Sequence, residues 1–240
     1  MDKFRVEVVT KTANPQQVIY AALHQDYSEG FVFDERNNWP SESKCGEIIV
    51  KRLLAGDRGH YGCIEHPQIT FNCGFFPHSV MQQARTHRIG VTFDVQSYRF
   101  CSGKVIAVAE GKIDIETAFY LRPVGEYSDR QGKRYNYTAK QREQDLQWCL
   151  AAAKRYKIDL ESGMSEEHAR GKIPFDYRQH FVVSFNCRSL LHFLDLRWKK
   201  NAQLEIQRLC ELMWPHFQLW MPNIAEWYEI NRLGKGKLAP

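Results

Sequence analysis

The chain has 240 residues, 43% hydrophobic and 25% charged, near the average for a globular protein and enough to bury a substantial core. Its 33 Lys+Arg exceed 28 Asp+Glu for a net charge of +5, well short of a protein that coats nucleic acid. No unbroken apolar run is long enough to span a bilayer, and the start, MDKFRVEVVTKTANP, has no apolar core of signal-peptide length, so a cytoplasmic protein is expected.

Phe4–Thr10 (FRVEVVT) alternates and is rich in β-branched residues, which predicts a first strand. A helix is predicted to follow through Leu23, with Asn14 as its N-cap and Pro15 at its first position. Ser41–Leu54 reads as helical, with Ile48, Ile49 and Leu53 on one side, and Gly56, Gly59 and Gly62 turn the next stretch, DRGHYGCIEH, into a loop. Gln68–Cys73 alternates again and predicts a strand. In PHSVMQQARTHRIG, Pro77 opens a helix and Gly90 stops it, which puts Met81, Arg85 and Arg88 on one face beside Gln82. Phe93–Phe100 is expected to be short and extended, with Ser97 and Arg99 returning past the helix end.

Arg122–Tyr137 is charged and turn-rich, a surface excursion inside one domain. Thr138–Ser162 predicts a long amphipathic helix, and SEEHARGKIP a shorter one ended by Gly171 and Pro174. From Phe181 to Trp214 the apolar positions Leu190, Phe193, Leu194, Ile206, Leu209 and Met213 recur at helical spacing. The tail past Leu233 (GKGKLAP) is expected to be disordered. These elements predict a single α+β domain over residues 1–233, a mixed or antiparallel sheet flanked by long helices.

Two clusters carry chemistry. Gln82, Arg85, His87, Arg88, Ser97 and Arg99 combine guanidinium forks with a hydroxyl, the donors that match phosphate or carboxylate oxygens; the alternative by spacing alone is a solvated basic face. Asn186, Leu190, Phe193 and Arg197 fall on one helical stripe near Arg188 and His192, so Arg197 faces inward and needs a partner there. That partner is a bound anion, or else an internal acid such as Asp176 or Glu205. Arg170 is either a further donor or a surface arginine.

The seven cysteines are scattered and lack a C-x-x-C pair, which favours reduced thiols in the core. His60, His66, His78 and His87 fit no metal-binding spacing, so no metal is expected. The chain also lacks G-x-G-x-x-G after a strand, a P-loop and a nucleophile elbow, so a dinucleotide would be held without a Rossmann glycine turn.

In order, HYGCIEHPQITF, RTHRIGVTFDVQSYR and FNCRSLLHFLDLR…AQLEIQ resemble the blocks of the flavin-dependent thymidylate synthases, over roughly His60–Arg99 and Arg170–Gln207. The family's commonest form has Arg-His-Arg and seven residues before a serine. Here Thr86 separates Arg85 from His87, and eight residues, Ile89 to Gln96, precede Ser97. Asp94 or Gln96 stands where many members carry an acidic residue.

The resemblance implies reductive methylation of deoxyuridylate to thymidylate. Methylenetetrahydrofolate would donate the carbon, and FAD recharged by NADPH would donate the hydride. It implies that Gln82, Gln83, Ala84, Arg85, Gln96, Ser97, Tyr98, Arg99, Arg170 and Arg197 surround deoxyuridylate, with Arg99 and Arg170 on its phosphate. Arg197 would be the catalytic residue, on the uracil edge at N3 and O2. His60, Gly62, Arg85, His87, Arg88, Asp94, Asn186, Arg188 and His192 would hold FAD. It also implies a homotetramer with shared flavin sites, and neither nucleic acid nor membrane as partner. A nucleic-acid-binding module and a flavoprotein for another nucleotide are the rival readings of the same arginines.

Overall fold

Strand β1 (Arg5–Lys11) starts close to the predicted position, and its neighbour β2 (Gln68–Pro77) runs on to the proline. The computed structural model describes residues 3–56 and 59–235. Part of the expected loop (Asp57, Arg58) and most of the expected disordered tail (from residue 236 on) lie outside the described residues. With β3 (Val91–Val95) and β6 (Arg178–Asn186), the first two strands form a four-stranded sheet in the order β1-β2-β6-β3.

Every neighbouring pair in that sheet runs antiparallel. Thr12 N donates to Gln68 O at 2.9 Å, joining the end of β1 to the start of β2. On β2 and β6, Thr70 lies opposite Ser184, and Phe75 N donates to His180 Nδ1. On β3 and β6, Asn186 N donates to Gly90 O and Gln96 N donates to His180 O. A second sheet is the antiparallel hairpin of β4 (Gly125–Ser128) and β5 (Arg134–Tyr137), mostly exposed, within the predicted excursion.

Backbone contacts divide the chain into two compact units whose segments alternate along the sequence. The first holds residues 1–4, 74–86 and 94–181, the second residues 5–73, 87–93 and 182–240. The break points fall at the start of β1, inside β2, β3 and β6, and in the turn after Thr86.

In the first unit, α4 (Gly103–Ala109) packs on α5 (Ala139–Glu161) around Val105, Phe119, Cys149, Ala153 and Tyr156. Thr138 caps the start of α5 in a reciprocal box with Gln141. The four-residue helix α6 (Glu166–Ala169) follows.

In the second unit, α1 (Pro15–Gln25) lies on α2 (Glu42–Ile49). Asn14 occupies the predicted cap position of α1 but adopts a left-handed backbone, φ 46°, and makes no side-chain cap. Glu42 replaces it: its two carboxylate oxygens accept from Gln16 N at 2.7 Å and Gln17 N at 2.9 Å. The predicted helix Ser41–Leu54 holds its N-cap at Ser41 but widens to π geometry over Val50–Leu54. The stretch read as helical from Phe181 is strand β6 as far as Asn186, then α7 (Cys187–Arg197) and α8 (Leu204–Trp220). Helix α9 (Pro222–Asn231) was not predicted, and its end supports a buried ion pair between Arg232 and Asp195 at 2.6 Å.

Six of the seven cysteines are buried free thiols, as expected, but Cys101 is exposed. Among the described residues no helix is long and apolar enough to cross a membrane. No group of three or more His, Cys, Asp or Glu among them is placed to hold a metal ion.

Candidate functional site

Helix α3 (His78–Ala84) is shorter than predicted and carries the first of the candidate residues. Thr86 ends it: its hydroxyl donates to Gln83 O at 2.7 Å and its N–H donates to the same carbonyl, closing the turn at Arg85. The expected shared face of Met81, Arg85 and Arg88 therefore does not form, and Arg88 lies beyond the helix. Gln82 and Arg85 are exposed, Gln83 is half-buried and Ala84 is buried.

In the same unit, Gln96 is pinned to β6. Its N–H donates to His180 O, its Oε1 accepts from His180 N, and its carbonyl accepts from Gln179 Nε2 at 2.9 Å. The chain then turns on Ser97, whose carbonyl accepts from Phe100 N and Cys101 N. The predicted extended stretch thus ends at Val95. Tyr98 is 3% exposed and its hydroxyl donates to Arg178 O at 2.7 Å, so it anchors the turn from beneath. Arg99 stays on the surface, paired with Glu167 at 2.8 Å and stacked over Phe100. Arg170 is exposed just past α6, and Asp94 is exposed on β3. Tyr177 stacks on His78 at 4.7 Å and meets Tyr98 at a tilt of 53°, with ring centroids 4.2 Å apart. The charge of Arg85 acts on His78 and that of Arg170 on Tyr177, so two exposed guanidiniums lie within electrostatic reach of these rings.

In the second unit, Arg197 Nε donates to His87 Nε2 at 3.0 Å. The sequence left a bound anion or an internal acid as the partner of Arg197; the structure gives its Nε a neutral imidazole. His87 is buried against Phe193 and His192. Burial first, then the charges of Arg197 and His192, push its pKa down to about 4. Asn186, read as the start of a helical stripe, is the N-cap of α7 and accepts from Ser189 N at 2.8 Å.

Gly90 adopts φ 64°, and a Cβ there would collide with the side chains of Asn186 and Ser189. Arg88, Gly90 and Asn186 line a cavity of about 270 Å³. Arg188 donates to Glu65 at 2.6 Å. His60 lines a separate cavity of about 490 Å³ with Tyr20, His24, Lys51 and Arg52, while Gly62 is exposed with open space around it. His192 is half-buried. The exposed Arg88 and the Asn186 amide, on the lining of the first of these cavities, are donors suited to a pyrophosphate.

Residues 7–223 match the family model described as thymidylate synthase complementing protein. The chain belongs to this family.

Its relatives in the family include the flavin-dependent thymidylate synthase of Halobacterium salinarum, 32% identical over 98% of this chain and 100% of that protein. The Haloarcula marismortui enzyme of the same name is 31% identical over 98% and 99%. Among solved structures, the chain resembles the UMP/dUMP methylase PolB from Streptomyces cacaoi bound with 5-Br dUMP, with TM-score 0.74, 22% identity and coverage of 100% and 98%. It also resembles thymidylate synthase X from Helicobacter pylori with FAD and dUMP, with TM-score 0.67, 17% identity and coverage of 92% and 98%. The α+β fold expected from the sequence is the fold of this family.

The sequence pointed to no candidate role for Glu65, Glu167 or Gln179 and raised His78 only as a metal ligand, yet all four touch the candidate arginines and amides. Glu65, Glu167, His78 and Gln179 each hold a candidate residue in place. Only His78 left a local signal, its i, i+4 spacing to Gln82. Glu65, Glu167 and Gln179 are brought in by the fold from distant points in the chain.

Proposed function

We propose that this protein is a flavin-dependent thymidylate synthase that methylates deoxyuridylate at C5. The observation that carries the reading is the pair of exposed guanidiniums, Arg85 and Arg170, within electrostatic reach of the His78 and Tyr177 rings, in a chain matched over nearly its whole length by synthases of that name. The family match over residues 7–223 supports treating residues 1–233 as one functional domain, with 122–137 as an excursion on it.

Arg99 and Arg170 bind the phosphate in this reading, with Gln82, Gln83, Ala84, Arg85, Gln96, Ser97 and Tyr98 lining the nucleotide. Arg197 pairs with the uracil edge at N3 and O2, which stabilises negative charge there and enriches C5 in electron density. His87 holds Arg197 at Nε and so orients the guanidinium. Arg88, Arg188, His60, Gly62, Arg85, His87, Asp94, Asn186 and His192 hold FAD. When bound, the flavin supplies the hydride that completes the methyl group; NADPH recharges it and methylenetetrahydrofolate supplies the carbon. We place the enzyme in the cytoplasm as a homotetramer.

The test is anaerobic reduction of the flavin-loaded protein, followed by deoxyuridylate and methylenetetrahydrofolate. The expected outcome is reoxidation only with both present, leaving thymidylate. Uridylate is offered in parallel, because a structural neighbour is a UMP/dUMP methylase. A reduced flavin that survives both nucleotides removes the substrate assignment, and a protein that binds no FAD removes the reading. Arg197→Ala is expected to keep the flavin spectrum and lose turnover by two or more orders of magnitude, on the order of a lost transition-state contact.

A further inference from the structure

Gln82 ends a chain of polar contacts that begins on a backbone carbonyl. The Gln179 amide nitrogen donates to Gln96 O at 2.9 Å, which fixes that amide's orientation because only its nitrogen can donate. Its oxygen is therefore the atom that faces His78 Nδ1 at 2.6 Å, and Nδ1 carries the proton. In the neutral ring Nε2 is then an acceptor, and Gln82 Nε2 donates to it at 2.7 Å. The Gln82 amide is held with its nitrogen toward His78 and its oxygen away from it.

The rest of the surroundings keep this chain in place. Gln179 is 3% exposed. The His78 ring is stacked on Tyr177 and met edge-on by Phe175 at 5.2 Å, and its backbone N–H donates to Tyr177 O. All these residues belong to the first unit.

We propose that His78 is a positioning residue that sets the polarity of Gln82, so that Gln82 Oε1 accepts a hydrogen bond from the 3′-hydroxyl of the bound nucleotide. The step to the 3′-hydroxyl rests on the deoxyuridylate reading above. Of deoxyuridylate's two donors, N3–H and the 3′-hydroxyl, that reading removes the first: a guanidinium has no acceptor, so Arg197 meets N3 as the ionised nitrogen. Gln82 presents an acceptor, and the hydroxyl is the donor left to meet it.

The arrangement is sensitive to acid. A proton on Nε2 turns His78 into a donor on both sides, and Gln82 then has to rotate, turning its NH2 outward. The groups facing His78 are Gln179 and Asp176, which favour the proton, Arg85, which opposes it, and the Tyr177 ring. Burial is the largest influence and holds the ring's pKa below the ordinary histidine value. Binding through the 3′-hydroxyl is therefore retained at neutral pH and lost as pH falls through that lowered value.

Two measurements test the proposal. In the first, 15N-histidine spectra of the nucleotide-free protein read the His78 tautomer; a proton on Nδ1 is expected, and one on Nε2 overturns the proposal whatever the protein binds. In the second, equilibrium affinities for deoxyuridylate and its 3′-deoxy analogue are compared at neutral and acid pH. Wild type is expected to bind the analogue about tenfold more weakly, the worth of one good hydrogen bond, and to lose that preference in acid. Gln82→Ala and His78→Phe are each expected to bind both ligands alike, and the double variant no worse than either single one. Discrimination that survives in Gln82→Ala, or that survives in His78→Phe at all pH values, overturns the positioning role. A wild-type protein that binds neither nucleotide instead overturns the deoxyuridylate reading, and the 3′-hydroxyl assignment with it.

Discussion

His87 accepts a hydrogen bond from a cation and is closed in by Phe193, so protonating it breaks the bond to Arg197 and places two positive charges side by side. Its pKa of about 4 in the folded protein lies below the roughly 6.5 of an unfolded chain, so the unfolded state takes up the proton first as pH falls. Stability is therefore complete above about pH 6.5 and is lost on the way down to about 4, by at most about 3 kcal/mol from this residue. His78 and His180, also held down by burial, act in the same direction. Thermal melts from pH 7 to 4 should show the fall, and His87→Gln should make it shallower; an unchanged slope would show that His87 carries none of it. On the surface, Glu167 competes with any phosphate for Arg99. The pair is half-exposed, 50% and 55%, and such pairs are worth under about 1 kcal/mol. Glu167→Gln should accordingly lower KM for deoxyuridylate up to about fivefold with kcat kept; a raised KM would mean that Glu167 helps to build the site. The arginines were legible in the sequence because guanidinium chemistry declares itself locally. The tautomer of His78 was not, since Gln179, which sets it, lies 101 residues along the chain.

Among the elements, those with local punctuation were read well and those fixed by distant partners were not. Helix α5 matches its predicted bounds to within a residue at each end, because its periodicity is local and Thr138 and Gln141 cap its start from within its own sequence. The start of α1 was placed, but its capping group was missed, since Glu42 reaches it from another helix. Strand β6 was absorbed into a helical stretch because most of its residues are buried or half-buried on both faces, which erases the alternation that marks a surface strand. Its adjoining Val182 and Val183 were the signal to weigh. The end of α3 turned on a threonine hydroxyl that satisfies a carbonyl three residues back, a competition that apolar periodicity does not register. The joint between β3 and α7 is the element-scale feature most open to test. Gly90→Ala would strain a left-handed backbone and push on Asn186, the cap of α7. It should cost roughly 2 kcal/mol or more, about 1 for the backbone and about 1 for the displaced cap. Denaturant unfolding checks this, and FAD affinity should fall in parallel; an unaltered midpoint would mean that the α7 cap tolerates the intrusion.

For the molecule as a whole, net charge and composition said little beyond globular, while three short blocks in order said most, because sites built from many arginines need fixed spacings. The proposed tetramer predicts a species of four chain masses in sedimentation equilibrium. A monomer that binds FAD at full stoichiometry would remove the shared flavin sites. The division into two units went unseen in the sequence, since neither is a continuous stretch: each is assembled from three segments that alternate along the chain. That interleaving bears on how the protein is made. As the chain leaves the ribosome, residues 5–73 emerge well before residues 182–240, with which they share a unit. Phe71, fully buried in the finished protein with His216 against its ring, lacks that partner for most of the synthesis. Strand β6 supplies residues to both units, so a premature stop anywhere before Arg178 deprives both at once, and no nascent fragment can be salvaged as half an enzyme.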